Sequence, residues 1–265
     1  MMGLQRNPHL AHTTSLKEPT MKLVRPLPIA AAAALIVAAT LSVFAEETKV
    51  VEETKLNAPP DGFTALFNGK DLTGWKGLVG NPKTRAAMSP DELAKAQAEA
   101  DKSAHEHWKA ENGIIVFDGK GQSLCTAKDY GDFELLLDWK IEKGGDSGIY
   151  LRGSPQVQIW DTEWPEYFKH GAEKGSGSLW NNKTNPRFPD VKADKPVGEW
   201  NTFHITMVGE KVTVKLNGQT VVDNVTMENL WEPGEPIYPT GSIELQNHGN
   251  TLYFRNLYIK ELPKQ

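Results

Sequence analysis

The sequence predicts an all-β protein, a β-sandwich with one inserted surface helix. Short runs of alternating apolar and polar residues, separated by turn residues, follow one another from about residue 62 to the C-terminus. Only one stretch has the composition of a long helix. The chain contains 23 glycines, 17 prolines and 8 tryptophans in 265 residues, which suits a turn-rich β protein with aromatic contact surfaces. A sandwich of this length can bury its core in a single domain.

The N-terminal stretch has the three parts of a secretory signal peptide. Lys22 and Arg25 precede an apolar, alanine-rich segment at 29–39, and a run of small residues ends at Ala45. The apolar segment is short for a membrane span. We therefore predict a signal peptide at 1–45, cleavage near Ala45, and a periplasmic or secreted protein without a stable membrane anchor.

Three further boundaries follow from the composition. Met21 is an alternative translation start, which would make residues 1–20 an artefact of start-codon choice. Residues 46–60 are charged and end in two prolines, the composition of a flexible linker. Strand signals begin at Gly62, so we predict one sandwich domain at 61–263 that is interrupted by a helical insertion.

Charge and cysteine content narrow the possible functions. The formal net charge is −5, which gives no electrostatic reason to expect nucleic acid or an anionic membrane as a partner. Cys125 is the only cysteine, so neither an intramolecular disulfide nor a cysteine-based metal cluster can form. Its place at the start of a predicted strand favours a buried, small apolar side chain.

The insertion at 88–108 is predicted to be a solvated helix. Ser89 and Glu92 form a capping box, with proline at the first helical position, and strong helix formers with few large apolar side chains follow. His105 and His107 are two residues apart and therefore lie on different faces of the helix, which is poor geometry for a shared metal ion.

Alternation within the predicted strands separates an apolar face from a polar one. Successive side chains of a strand point to opposite faces of the sheet, so every second residue faces the core. We predict that the core contains Phe133, Leu135, Leu137, Ile149, Leu151, Val157, Ile159, Phe203, Ile205, Ile243 and Leu245.

A hairpin at 148–152 and 156–161 carries the clearest candidate site. Its polar face combines amides, aromatic rings and a cation, the mixture that holds a sugar by hydrogen bonds and ring stacking: Tyr150, Arg152, Gln156, Gln158 and Trp160. The alternative is a solvated face with an Arg–Asp pair. Asp146 and Asp161 bracket the hairpin and could either orient the arginine or bind a divalent cation.

Other predicted strands also have polar faces that could meet a ligand. Glu134 lies on one of these strands. Another strand carries Glu244, Gln246 and His248 at alternate positions, so they share a face. If these strands are neighbours of the hairpin, the side chains converge on one platform. His248 precedes a glycine at a strand end and suits acid–base chemistry, the alternative being a turn histidine bonded to backbone. The irregular segment 162–199, which contains Trp180, is long enough to be a lid.

Seven motifs in the chain resemble a known family. They are GFTALFNGKDLTGWKG, DFELLLDWK, GGDSGIYLRG, VQIWD, GEWNTFHI, VKLNGQTVVD and LQNHGNTLYFRNLYIKEL, which occur in this order over about residues 61–263. Together they resemble the 3-keto-disaccharide hydrolase domain family, long catalogued as a domain of unknown function. The resemblance implies a concanavalin A-like jelly roll. It also implies an enzyme that cleaves glycosides already oxidised to a ketone at C3, by hydrolysis or by elimination and hydration.

The implied chemistry assigns roles to the candidate residues. A ketone at C3 acidifies the hydrogen on C2, so cleavage needs a base, stabilisation of the enolate oxygen and a proton for the leaving oxygen. We expect His248 to be the acid–base group, Arg152 the oxyanion or hydroxyl clamp, and Glu134 or Glu244 the second proton-transfer group. The side chains expected to hold the sugar are Tyr150, Gln156, Gln158, Trp160, Gln246 and Trp180.

The chain departs from the family pattern at Gln156 and at the insertion 88–108. Family members often have a glutamate where this chain has Gln156, and an amide cannot take up a proton at neutral pH. A carbohydrate-binding module without catalysis is therefore the main alternative, ahead of a retaining glycosidase or a purely structural sandwich. A divalent metal ion could also polarise the carbonyl, with Asp146, Asp161 or His248 among its ligands. The insertion at 88–108 adds to the shorter outline of the family.

Overall fold

The structure, a computed structural model, describes residues 55–154 and 156–264. The predicted signal peptide and most of the predicted linker lie outside these residues and stay predictions. Residues 55–60 of the linker are described, and Asn57 exchanges hydrogen bonds of 2.9 and 3.0 Å with Asn256. Contacts with the sandwich therefore begin before Gly62.

Thirteen strands and two α-helices follow one another in this part of the chain. The strands are β1 (Thr64–Ala65), β2 (Trp75–Gly77), β3 (Trp108–Glu111), β4 (Ile114–Phe117), β5 (Leu124–Thr126), β6 (Phe133–Ile141), β7 (Asp146–Tyr150), β8 (Gln156–Trp160), β9 (Asn201–Val208), β10 (Lys211–Leu216), β11 (Gln219–Thr226), β12 (Glu244–Leu245) and β13 (Leu252–Glu261). The helices are α1 (Pro82–Ala86) and α2 (Pro90–His107), with 3₁₀ helices at Pro165–His170 and Ala172–Lys174.

The strands form two antiparallel sheets that pack face to face. The eight-stranded sheet has the order β11-β10-β9-β6-β13-β4-β3, with β1 also paired to β13. The five-stranded sheet has the order β2-β5-β12-β7-β8. This is the jelly-roll sandwich that the sequence predicts.

The core between the sheets consists of the inward-facing residues of both. All eleven core residues predicted from alternation belong to it, and each is at most 1 % exposed. The prediction of the core is therefore confirmed. Because the inner faces are known, the outward-facing residues of each strand are known as well.

The predicted insertion at 88–108 forms α2, which the short helix α1 precedes, and it is not solvated on every side. The Ser89–Glu92 capping box starts α2 as predicted. A second capping box at Asn81 starts α1, a helix that was not predicted from the sequence. Helix α2 lies directly on edge strand β2, since a Cβ atom at Gly77 would come within 2.1 Å of the Ala100 carbonyl oxygen. Most of α2 faces water, but through this contact the helix packs against the edge of the five-stranded sheet. Neither described helix is long and apolar enough to cross a membrane.

Candidate active site

The outer face of the five-stranded sheet gathers most of the candidate residues. In the register of β7, β8 and β12, Tyr150 lies opposite both Gln156 and Glu244, while Gln158 lies opposite Gly148. Their neighbours Ile149 and Val157 point into the core, so these polar side chains point outward. The polar surface predicted from the hairpin is therefore present on one sheet face. We call this surface the platform; it includes Tyr150, Gln156, Gln158 and Glu244.

A short segment of the long loop extends this platform beyond β8. Backbone hydrogen bonds of 2.8 to 3.1 Å join Gln156 and Gln158 to residues 177–180. Leu179 is buried and pairs with Val157, so Trp180 emerges on the outer face. The sequence predicts an irregular segment here, and the structure corrects this prediction. Its one signal was the alternation of small, polar and apolar residues in the stretch GSGSLW.

Amide side chains form a hydrogen-bonded chain across the platform. Gln156 Nε2 donates to Gln158 Oε1 at 2.9 Å and to Gln246 Oε1 at 2.8 Å. Gln158 Nε2 in turn donates to Asp146 Oδ1 at 2.7 Å. Gly148 makes room for this chain, because a Cβ atom there would lie 2.2 Å from Gln156 Nε2. The network couples three strands and ends on a carboxylate.

Asp146 and His248 meet at the edge of the platform. Asp146 Oδ2 lies 3.4 Å from His248 Nδ1, and the side chains are 13 % and 56 % exposed, respectively. Burial raises the pKa of Asp146, while the charges of His248 and His170 and the hydrogen bond from Gln158 oppose this effect. A half-exposed imidazole beside a largely buried carboxylate is an arrangement that can move a proton to or from a bound molecule.

Glu244 is a second carboxyl group on this face, and the sequence predicts a proton-transfer role for it. It is 6 % exposed, and burial raises its pKa to about 7, opposed by a hydrogen bond from Ser123 and the charge of Arg85. Burial likewise raises the pKa of neighbouring Tyr150 to about 12. Near neutral pH the carboxyl group of Glu244 can therefore both give and accept a proton.

Aromatic rings border the platform on the β8 side. Trp180 packs edge-on against Trp160, with ring centroids 5.1 Å apart, and His170 packs edge-on against Trp180 at 5.8 Å. The Arg187 guanidinium lies 3.5 Å from the centroid of the Trp180 ring. Trp160 is almost fully buried, so Trp180 offers the more accessible ring surface for stacking on a sugar.

The structure corrects the placement of Arg152. Strand β7 ends at Tyr150, and Arg152 has a φ of 53°, which turns its side chain away from the alternating pattern. Its guanidinium pairs with Asp132 at 2.8 Å and donates to the carbonyl oxygens of Gly131 and Tyr238. The side chain is 2 % exposed, so its donors already have partners within the protein. It holds the end of the sandwich together and does not reach the platform.

Glu134 is also placed elsewhere. It faces outward as predicted, but β6 belongs to the eight-stranded sheet. There it pairs with His204 and Lys260, each at 2.9 Å. The two outer faces lie on opposite sides of the sandwich, so Glu134 cannot converge with His248.

The predicted metal ligands do not form a set of three. Asp161 accepts hydrogen bonds from the backbone N–H groups of Gly144 and Glu163, and so closes the hairpin turn. Within residues 55–154 and 156–264, no group of three or more His, Cys, Asp or Glu side chains is arranged to hold a metal ion. His107 instead contacts Asp118 at 2.9 Å. The metal ion stays a prediction.

Comparison with known proteins identifies the family. Residues 62–260, most of the chain, match the 3-keto-alpha-glucoside-1,2-lyase-like domain. The chain belongs to this family. Among its relatives is a 3-keto-disaccharide hydrolase of Bacteroides thetaiotaomicron, 24 % identical over 271 residues, with 83 % of this chain and 86 % of the relative covered.

Solved structures of similar proteins have the same fold. A crystal structure of a candidate glycosyl hydrolase from Parabacteroides distasonis superimposes with a TM-score of 0.60 at 25 % identity, covering 79 % of this chain and all of the other. A second structure from that organism gives a TM-score of 0.55 at 24 % identity, covering 76 % and 99 %. These likenesses support a carbohydrate-active enzyme of glycoside-hydrolase type.

Within the 3-keto-alpha-glucoside-1,2-lyase-like family, the amide at position 156 has a structural explanation in this member. Gln156 acts as a donor, and the chain of amides that starts from it ends on the Asp146 carboxylate. A carboxylate is therefore present on the same sheet face, one strand away from position 156.

Proposed function

We propose that this protein cleaves glycosides that carry a ketone at C3, by eliminating the C1 substituent and hydrating the product, or by hydrolysis. The observation that carries the proposal is the grouping, on one sheet face, of the Asp146–His248 contact with Glu244, whose pKa is about 7. The family membership supports this substrate class. Export to the periplasm or medium is a further part of this proposal and rests on the predicted signal peptide.

In the elimination route, the C2–H bond breaks first because the ketone delocalises the resulting carbanion as an enolate. His248, with Asp146 to stabilise its protonated form, is the base in this proposal. The electron pair then returns to form the C1–C2 double bond as the C1–O bond breaks. Glu244, protonated in part near neutral pH, supplies the proton for the leaving oxygen. Water adds across the double bond to complete the cycle.

The remaining platform residues position the sugar. Gln246 uses its Oε1 atom for Gln156, and none of the hydrogen bonds among residues 55–154 and 156–264 uses its Nε2 group. This half-buried amide is free to donate to the C3 oxygen or to a hydroxyl. Trp180 offers a ring face or edge for stacking. The roles first given to Arg152 and Glu134 fall to Gln246 and Glu244.

A carbohydrate-binding module is the second candidate. The hydrogen bonds that Gln156 donates to Gln158 and Gln246 favour a binding module. A network of amides can orient the hydroxyl groups of a sugar, and so bind it, without transferring protons. Such a module would bind 3-keto and unoxidised glucosides but release no aglycone from either.

The deciding experiment measures release of the aglycone from a 3-keto-glucoside and from the unoxidised glucoside. The wild type should act on the first only. His248→Ala should lower turnover by roughly 10²–10⁴, the usual contribution of a proton-transfer group. His105→Ala, an exposed histidine on α2, is the matched control and should retain full activity. No release by the wild type, with sugar binding intact, would establish the binding module.

A further inference from the structure

A cavity of about 470 Å³ lies between helices α1 and α2 and the five-stranded sheet. Helices α1 and α2 form its roof, and the outward-facing residues of β2 and β5 form its floor. Its apolar lining includes Leu78, Pro82, Leu93 and Cys125. Three of these, the leucines and the proline, are only half-buried, so apolar surface is left open toward the cavity.

Two cations line this cavity without a direct ion pair to any carboxylate in the part of the chain that the structure describes. Lys76 and Arg85 both line it, and neither forms an ion pair with any residue that the structure describes. Arg85 uses Nη1 for the Val79 and Gly80 carbonyl oxygens, which orients the guanidinium without neutralising it. Arg152 also lines the cavity, but it is neutralised by Asp132. Asp129, the acidic lining residue, is exposed at the rim.

The cavity adjoins the proton-transfer group on the same sheet face. Cys125, on the cavity floor, is the direct register partner of Glu244 on the next strand. Ser242 lines the cavity and lies two residues before Glu244. A sugar on the platform with its leaving oxygen near Glu244 would therefore direct the leaving group toward α1 and α2.

We propose that this cavity is the leaving-group subsite, and that it takes a hydrophobic, preferably aromatic, group that carries a carboxylate. The half-buried apolar walls accept the ring, while Lys76 and Arg85 accept the anion. Helices α1 and α2 thus determine which glycosides the protein selects. This inference rests on the proposed function, since only a cleaved glycoside has a leaving group.

The first test measures binding without turnover. NMR titrations compare 4-hydroxybenzoate with phenol, two free leaving groups that differ only in the carboxylate. The wild type should bind 4-hydroxybenzoate roughly tenfold more tightly, the effect of one charge-assisted contact. Lys76→Gln and Arg85→Ala should each remove most of this preference, whereas Lys83→Ala, an exposed lysine of α1 outside the cavity, should keep it. Leu93→Ala should weaken the binding of both compounds.

The second test measures kcat/KM for the 3-keto-glucosides of the same two leaving groups. The wild type should prefer the carboxylated substrate. Lys76→Gln should lower kcat/KM for the carboxylated substrate and so abolish the preference, whereas Lys83→Ala should leave kcat/KM for both substrates unchanged. Equal binding of the two free compounds by the wild type would overturn the subsite, as would unchanged binding of 4-hydroxybenzoate in both cation variants. Absence of turnover together with the expected binding pattern would refute the proposed function and leave an anion-binding cavity, so the two failures are distinguishable.

Discussion

Replacing Glu244 by glutamine should change how the free energy of unfolding depends on pH. Glutamine keeps the size of the side chain but cannot titrate. In the wild type, burial raises the pKa of Glu244 from 4.5 to about 7. The folded chain therefore holds this proton more tightly than the unfolded chain does, and raising the pH favours the unfolded chain.

The expected magnitude follows from the two pKa values. The difference between 4.5 and about 7 is about 2.5 units, and at 1.36 kcal/mol per unit it corresponds to about 3 kcal/mol. This contribution is fully present below pH 4.5 and is lost as the pH rises to about 7. The free energy of unfolding of Glu244→Gln should therefore rise by about 3 kcal/mol relative to that of the wild type as the pH increases through this window. Above the window the difference should stay constant.

Urea denaturation of both proteins at a series of pH values measures this difference. Subtracting the two free energies of unfolding at each pH cancels the groups that titrate in both proteins. Glu111→Gln, an exposed exchange of the same kind on β3, is the matched control. A difference between Glu244→Gln and wild type that varies by less than about 0.5 kcal/mol across the window would refute the assignment, since that is the usual limit of additivity.

Three further outcomes are expected. Gly148→Ala should abolish sugar binding while the protein still folds, measured by calorimetry and circular dichroism, because the new Cβ atom would displace the Gln156 amide. Arg152→Met should lower the free energy of unfolding by about 3–5 kcal/mol in urea, because it leaves the Asp132 carboxylate without its partner. An effect of Arg152→Met on turnover alone would contradict its structural role. Mass spectrometry of exported protein should show a mature chain that begins directly after Ala45; retention of the alanine-rich segment would instead indicate an anchor.

Local sequence signals predicted much of the fold and part of the site. The alternation of apolar residues identified the core, and the capping box at Ser89 identified the start of α2. Gln156 and Gln158 could be placed beside β7 because a hairpin joins strands that are also close in sequence. Alternation and turn chemistry act over a few residues, so they are readable from the chain itself.

Only the tertiary structure decided which polar faces meet. Glu134 faces outward as its strand pattern predicts, yet β6 pairs into the other sheet, and long-range pairing leaves no trace in a single strand's alternation. Arg152 leaves the pattern through a left-handed backbone conformation that its buried contacts with Asp132 and two carbonyl groups stabilise. The Asp146–His248 contact and the burial of Glu244 likewise depend on neighbours about 100 residues apart in the chain. The sequence by itself thus determined the strands, their faces and the core. Which residues form the site was decided by the sheet to which each strand belongs. That choice depends on contacts between segments that are distant in the chain, so only the tertiary structure shows it.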